Sequence, residues 1–152
     1  MDVRAELEAP CTPTELFAWV DDLGDYPAWM SLTHRVVPAE PSAEVDGDAP
    51  AWNVELRGRV GPLARSKRLR MVRTRLEDGR LVVFERRETD RRRHSPWVLT
   101  VRIEQAEEGS RLLVDLHYGG ALWTGGLLER ALSDEIERGR ERLIELVSGP
   151  TH

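Results

Sequence analysis

Apolar and polar residues alternate at every second position along much of the chain, which predicts a protein built largely from β-strands. Val3, Ala5 and Leu7, for example, alternate with charged residues, as is typical of a strand with one buried face. The pair Asp78-Gly79 is favoured in tight turns and predicts a hairpin. The pattern indicates strands at about residues 2–9, 32–40, 52–57, 64–76, 80–89, 97–103 and 112–118.

Helical spacing near the start of the chain predicts two short helices between the first two strands. Thr12 precedes a proline and a glutamate at the spacing of a capping box, so the first helix begins there. We expect this helix to end at Gly24 and Asp25 to cap a second helical turn over Tyr26–Met30.

The C-terminal part of the sequence changes to apolar residues at steps of three and four, which predicts one helix over about 122–147. Residues 41–50, PSAEVDGDAP, have the composition of a loop. We expect one domain over residues 1–148 and a flexible tail at 149–152.

The order of these elements predicts an α+β fold in which the last helix covers a curved sheet. A large antiparallel sheet curls through its own twist, and its concave apolar face must be covered. Only the C-terminal helix is long enough to cover it. Such a helix rarely packs flush along a curled sheet, so we expect a mostly apolar cavity of about 300 to 1,000 Å³ between the two.

Five features of the sequence occur in a characteristic order and spacing. They are Ala9-Pro10 followed by TPTELFAWVDDLGDYPAWM, the stretches GPLARSKR, GRLVVFERRETD and SPWVLTVRIE, and the pair Gly119-Gly120 before the last helix. Together they resemble the START-like helix-grip superfamily (SRPBCC), and within it the polyketide cyclase/dehydrase and lipid-transport group. The resemblance covers nearly the full length. It implies a helix-grip fold with six to seven antiparallel strands wrapped around a long C-terminal helix, and a ligand cavity between them.

Apolar and aromatic residues on the expected inner surfaces are the candidates for ligand binding. They are Tyr26, Trp29, Met30, Trp52, Val54, Leu56, Phe84, Trp97, Leu99, Tyr118, Trp123, Leu128 and Leu132. We expect the first three to form the rim or lid of the cavity; the alternative is that they simply complete the core. Gly139 interrupts the apolar stripe of the last helix, which indicates either a close contact with the sheet or room for a ligand.

Charge is distributed unevenly along the chain. The formal net charge is −5, yet residues 57–93 hold 14 basic and 5 acidic residues. Lys67 is the only lysine among 22 basic residues. The basic segment suits an acidic acyl carrier protein as partner, or it is a solvated face of the sheet. The sequence has neither zinc-finger spacing nor an RNA-binding aromatic signature, so we expect no nucleic-acid partner.

Motif spacing argues against a metal or a cofactor. Cys11 has no second cysteine near a histidine, and the four histidines are spread along the chain. The motifs of hydrolases, zinc enzymes and phosphate-binding loops are missing. No run of about 18 apolar residues or signal-like start is present, so we interpret the protein as cytoplasmic and without a membrane span.

Three polar residues are candidates for chemistry at the cavity, namely Arg86, Tyr118 and His94. Arg86 shares a strand face with Phe84 and would stabilise a carboxylate, enolate or phenolate if that face is concave. The alternative is that Arg86 lies at the sheet edge and pairs with a glutamate from a neighbouring strand. Asp115 and His117 share the outward face of their strand and are expected to be solvated.

Three functions are compatible with these residues. The first is binding of a hydrophobic, aromatic or acyl/polyketide-like molecule. The second is an aromatase/cyclase-type enzyme that cyclises and dehydrates a polyketide in the same cavity. The third is an interaction module for an acyl carrier or chaperone partner. The residues favour binding because an unambiguous acid/base pair is missing.

Overall fold

The computed structural model describes residues 2–60, 63–119 and 127–148. Its strands are β1 (Asp2–Ala9), β2 (Thr33–Pro38), β3 (Ala51–Val60), β4 (Leu63–Glu77), β5 (Leu81–Arg86), β6 (Trp97–Ala106) and β7 (Gly109–Tyr118). Its helices are α1 (Pro13–Phe17), a 3₁₀ helix (Leu23–Ala28), α2 (Ala43–Asp46) and α3 (Leu127–Ser148).

The seven strands form one antiparallel sheet in the order β1-β7-β6-β5-β4-β3-β2. The sheet curls into a half-barrel, because each pair of strands adds to the same right-handed twist. Helix α3 contacts β1 at one end of this order and β3 near the other. It therefore crosses the concave face, and the helix-grip fold expected from the sequence is confirmed.

The register of β3 and β4 shows which face of β4 points inward. The sequence of β4 alone did not show this. Residues directly opposite each other in an antiparallel pair lie on the same face. The inner face carries Trp52 opposite Met71, Val54 opposite Leu69 and Leu56 opposite Lys67. A charged residue, Lys67, thus continues a row of buried apolar side chains on β4.

The first predicted helix is shorter in the structure than the sequence indicated. Thr12 caps α1 as expected, since its Oγ1 accepts a hydrogen bond from the Glu15 N–H at 3.2 Å. The helix ends at Phe17 instead of reaching Gly24. Asp22 begins the 3₁₀ helix, because its Oδ1 accepts a hydrogen bond from the Gly24 N–H at 2.7 Å. The prediction of Asp25 as the cap was wrong. The second short helix, predicted over Tyr26–Met30, is present but begins earlier, at Leu23, and ends at Ala28. A helical turn also closes over Tyr26–Met30, since the Met30 N–H donates to the Tyr26 carbonyl at 2.7 Å.

Residues 41–50 contain a short helix that their loop-like composition concealed. Ser42 caps α2, since its side chain accepts a hydrogen bond from the Val45 N–H. The same short helix carries Asp46, which is buried together with Arg70 of β4. An ion pair between these two side chains holds α2 against the sheet.

Helix α3 packs its small residue directly against the segment that follows the 3₁₀ helix. A Cβ atom at Gly139 would lie 2.6 Å from the Trp29 carbonyl oxygen, so only glycine permits this approach. A close contact is therefore present at Gly139, but it is with Trp29 and not with the sheet as predicted. Residues 120–126 and 149–152 lie outside the described part of the chain. They include Gly120, the predicted first turn of the last helix and the predicted tail. No helix in the described ranges is both long and apolar enough to cross a membrane.

Candidate ligand cavity and its rim

A cavity of about 90 Å³ lies between the inner face of the sheet, the 3₁₀ helix and α3. Its walls are apolar except for Thr33, whose hydroxyl donates to the Met30 carbonyl at 2.6 Å. The volume is smaller than the expected 300 to 1,000 Å³. Large aromatic side chains, two of them tryptophans, occupy much of the space that the curled sheet encloses.

Seven of the thirteen candidate ligand-binding residues line this cavity: Tyr26, Trp29, Met30, Val54, Leu56, Trp97 and Leu99. Three others, Trp52, Phe84 and Tyr118, are buried in the core beside it and do not line it. Trp123 and the side chains of Leu128 and Leu132 lie outside the described part of the structure.

An aromatic cluster separates the cavity from the deeper core. The Tyr26 ring lies 4.9 Å from the Trp29 ring and meets Phe84 edge-on at 6.0 Å. Phe84 in turn meets Trp52 edge-on at 5.6 Å. Such edge-to-face contacts favour fixed ring positions. Tyr26 and Trp29 therefore form a rigid wall.

Hydrogen bonds hold these two residues inside the protein instead of at a rim. The Tyr26 hydroxyl donates to the Val20 carbonyl at 3.0 Å, and the Trp29 Nε1–H donates to the Trp19 carbonyl at 3.1 Å. Burial raises the pKa of Tyr26, so its hydroxyl keeps the proton that it donates. With 1% of its surface exposed, Trp29 is part of the inner wall, as in the alternative in which these residues complete the core.

Arg86 lies on the inner face, opposite Met71 of the cavity wall, and is paired with nearby polar groups. Its Nε donates to Glu88 Oε2 at 2.9 Å, and one terminal nitrogen donates to the Ser95 hydroxyl at 3.3 Å. The glutamate partner comes two residues later in the chain, not from a neighbouring strand as the alternative hypothesis supposed. The guanidinium is therefore held in place beside the cavity.

His94 is hydrogen-bonded through both ring nitrogens. Arg86 has only donors, so His94 Nδ1 at 3.3 Å accepts from it. Nε2–H then donates to Asp90 at 2.9 Å. This assignment describes a neutral imidazole whose two nitrogens are engaged. Backbone hydrogen bonding from Arg92, followed by the His94 contact, lowers the pKa of Asp90 and keeps it ionised.

Lys67 of β4 contacts Trp97 of β6. Lys67 Nζ lies over the Trp97 ring, 5.9 Å from its centroid. Burial lowers the pKa of Lys67, and the positive charge of Arg86 lowers it further. The Trp97 Nε1–H is buried and has no hydrogen-bond partner among the described residues. A buried donor left unpaired costs about 1–3 kcal/mol.

Outward-facing charged residues are paired with one another. Asp115 forms an ion pair with Arg4, and His117 lies 2.9 Å from Asp2. The exposed fractions of these four side chains range from 46% to 86%, which agrees with the expected solvated position of Asp115 and His117. Within residues 2–60, 63–119 and 127–148, no group of three or more potential ligands is placed to hold a metal ion.

Sequence comparison assigns the chain to a family. A family model described as polyketide cyclase/dehydrase and lipid transport matches residues 1–148. The chain belongs to this family. The resemblance drawn from the ordered motifs is thereby confirmed. No curated protein is significantly similar to the chain in sequence.

Solved structures of other proteins with the same fold can be superimposed on nearly the whole chain. A protein from Thermus thermophilus superimposes with a TM-score of 0.70 and 17% identity, covering 99% of this chain and 100% of that one. A START superfamily protein from Mycobacterium smegmatis gives 0.69 and 15%, with 99% of both chains covered. An aromatase/cyclase from Streptomyces sp. R1128 gives 0.67 and 11%, with 97% and 93% covered. At these identities the likeness shows the fold.

The sequence analysis missed nine residues that line the cavity. Most of them lie on strands, and the alternation of apolar and polar residues shows which face of most of these strands points inward. In β4, arginines obscure this alternation. The missed residues are Val3, Leu23, Leu32, Thr33, Leu69, Met71, Val114, Leu116 and Ile136. The period-two pattern already identified Val3, Val114 and Leu116 as inward-facing, which was sufficient to include these three.

Proposed function

We propose that the protein binds an apolar small molecule in the cavity between the sheet, the 3₁₀ helix and α3. The observation that carries the proposal is the cavity itself, whose lining is almost entirely apolar. Protein interiors leave few such voids, and at about 24 cal/mol per Å³ an empty one of this size costs on the order of 2 kcal/mol. A ligand that fills it recovers the missing contacts.

The cavity accepts a single aromatic ring or a short alkyl chain more readily than a polycyclic molecule. An engineered apolar cavity of about 150 Å³ binds benzene, which sets the scale for the 90 Å³ observed here. Met30 and Met71 both line the wall, and unbranched thioether side chains rearrange easily. Their movement provides the additional space that an alkyl-substituted ring requires.

Cyclisation of a polyketide is the second candidate, and the paired Arg86 and His94 beside the cavity are the observation in its favour. A solved structure with the same fold is an aromatase/cyclase. Binding is better supported, because both nitrogens of His94 are already hydrogen-bonded and no histidine or carboxylate lines the cavity among the described residues.

Thermal unfolding in the presence of benzene, toluene and n-butylbenzene tests the proposal. A ligand that binds only the folded protein raises its stability by RT ln(1 + [L]/Kd), about 2.7 kcal/mol at 100 times Kd. We expect a saturable increase in the unfolding temperature for at least one member of the series, accompanied by a change in tryptophan fluorescence.

Two variants on β4 provide the controls. Leu69→Phe places a larger side chain in the cavity wall and is expected to abolish the increase. Leu76→Phe makes the same change at an exposed position and is expected to keep it. If no member of the series raises the unfolding temperature, or if Leu69→Phe responds like the wild type, the proposal is wrong.

A further inference from the structure

Lys67 is a positively charged residue at the end of an apolar row. It follows Leu69 and Met71 along the inner face of β4 and lies opposite Leu56, and all three of these apolar residues line the cavity. Lys67 forms no ion pair with any described residue. Burial and the charge of Arg86 lower the pKa of Lys67, and the charge of Glu88 offsets only part of this effect because the ion pair of Glu88 is with Arg86.

Trp97 supplies a second unused donor at the same place. Its ring lines the cavity and lies beneath the Lys67 ammonium. Its Nε1–H is buried without a partner among the described residues. Buried donors are nearly always hydrogen-bonded in native proteins. The ammonium thus lies over a side chain that lines the cavity, and the unpaired N–H belongs to that same side chain.

We propose that this end of the cavity binds the carboxylate of an apolar ligand, with Lys67 as the charge partner and the Trp97 N–H as the hydrogen-bond donor. This inference rests on the proposed function and names the class of ligand: a small aromatic or acyl carboxylic acid whose hydrocarbon part fills the cavity.

The donor set fits a monoanionic carboxylate better than other groups. A carboxylate has two acceptor oxygens, one for each donor, and the charged hydrogen bond to an ammonium is stronger than a neutral one. A ligand cation would be repelled by Lys67 and Arg86. A phosphate would bring more charge and more acceptors than two donors satisfy. Desolvation and Arg86 together lower the pKa of Lys67, and a bound carboxylate would offset both effects.

Matched ligands that differ only in charge test the proposal. We would measure the dissociation constants of 4-butylbenzoate and of the isosteric neutral 4-butylbenzamide at pH 7 by calorimetry or fluorescence titration. We expect the wild type to prefer the carboxylate at least tenfold. Lys67→Met is expected to remove this preference and Lys67→Arg to retain most of it. Trp97→Phe, which removes the indole donor and part of the ring but keeps an aromatic side chain, is expected to reduce the preference severalfold.

Arg68→Met is the matched control, because Arg68 is the next residue on β4 and lies on the opposite, exposed face. It is expected to keep the wild-type preference. Equal binding of the acid and the amide by the wild type, or an unchanged preference in Lys67→Met, would overturn the carboxylate site. Binding of n-butylbenzene in that case would leave the proposed function intact, whereas failure of all three ligands would overturn both.

Discussion

Asp46 and Arg70 form a bidentate ion pair that is almost completely shielded from water. Both distances between guanidinium nitrogens and carboxylate oxygens are 2.6 Å, and the side chains are 1% and 7% exposed. Further hydrogen bonds surround the pair: the terminal nitrogens of Arg70 also donate to the Glu40 and Arg87 carbonyls, and Asp46 accepts from the Ser42 N–H. Such additional hydrogen bonds offset the cost of burying the two charges.

Replacing Asp46 by Asn is expected to lower the free energy of unfolding by about 2–3 kcal/mol at pH 7, because Arg70 keeps its charge without a counterion. The hydrogen bonds from Arg70 lower the pKa of Asp46 in the folded state. Its stabilising contribution is therefore complete above the unfolded pKa of about 4 and is lost as the pH falls further toward the folded pKa. Urea unfolding at pH 7, 5 and 3 measures both effects.

Asp48→Asn is the control for this prediction, since Asp48 lies two residues away and is exposed. It is expected to change the stability by less than about 0.5 kcal/mol. A gap between wild type and Asp46→Asn that stays constant from pH 7 to pH 3 would contradict the electrostatic origin of the effect.

At the scale of elements, the 3₁₀ helix positions the cavity wall, and its start depends on one side chain. Asp22 accepts the Gly24 N–H, and Tyr26 and Trp29 follow within one and two turns. Asp25, the residue that the sequence favoured as a cap, instead has its pKa raised by burial and by the neighbouring Asp22. The two aspartates therefore act in opposite directions on stability at neutral pH.

Asp22→Ala is expected to cost about 1 kcal/mol of stability, as is usual for the loss of a capping residue. Asp25→Ala is expected to leave the stability unchanged or to raise it. The reason is that a carboxyl group with a raised folded-state pKa opposes folding above its unfolded pKa, and the substitution removes it. Chemical unfolding of both variants at pH 7 measures the difference. A larger loss for Asp25→Ala than for Asp22→Ala would show that the cap is assigned wrongly.

The strands were more predictable than the short helices for a physical reason. Alternation is a signal repeated over six or more residues, so the seven strands were found to within a few residues. The break between α1 and the 3₁₀ helix depends on a single hydrogen bond from Gly24 to Asp22, and α2 depends on one from Val45 to Ser42. Such local choices leave little trace in the periodicity.

For the whole molecule, the cavity makes a specific prediction about packing. Val114 of β7 lines the cavity, and Val101, directly opposite on β6, is 1% exposed and does not line it. Val114→Ile is expected to fill part of the void, to raise stability by about 0.5–1 kcal/mol and to weaken the binding of n-butylbenzene. Val101→Ile adds the same methylene to filled space and is expected to lower stability by about 1 kcal/mol. Unfolding and ligand titration of both variants check these effects.

The opposite result, in which the two isoleucine variants change stability by the same amount and in the same direction, would mean that the cavity offers no usable space.

The location of the cavity followed from the sequence, but its size and its polar end did not. Seven of its wall residues were predicted because they share the inward face of strands or belong to the aromatic segment after α1. Lys67 was not predicted as a site residue because only the pairing of β3 with β4 shows that it faces inward. The small volume depends on the rotamers of Tyr26 and Trp29, which hydrogen bonds to distant carbonyls determine.

The contact between Gly139 and Trp29 leaves no free distance between α3 and the cavity wall. A guest too large for the resting volume cannot push this tryptophan outward on its own, since the helix backbone stands directly behind it. To accept a larger guest on the side of Trp29, the whole of α3 would have to shift. On the side of Met71, a change of side-chain rotamer is sufficient. The shape of an acceptable guest is therefore asymmetric: bulk is tolerated toward Met71 and resisted toward the helix.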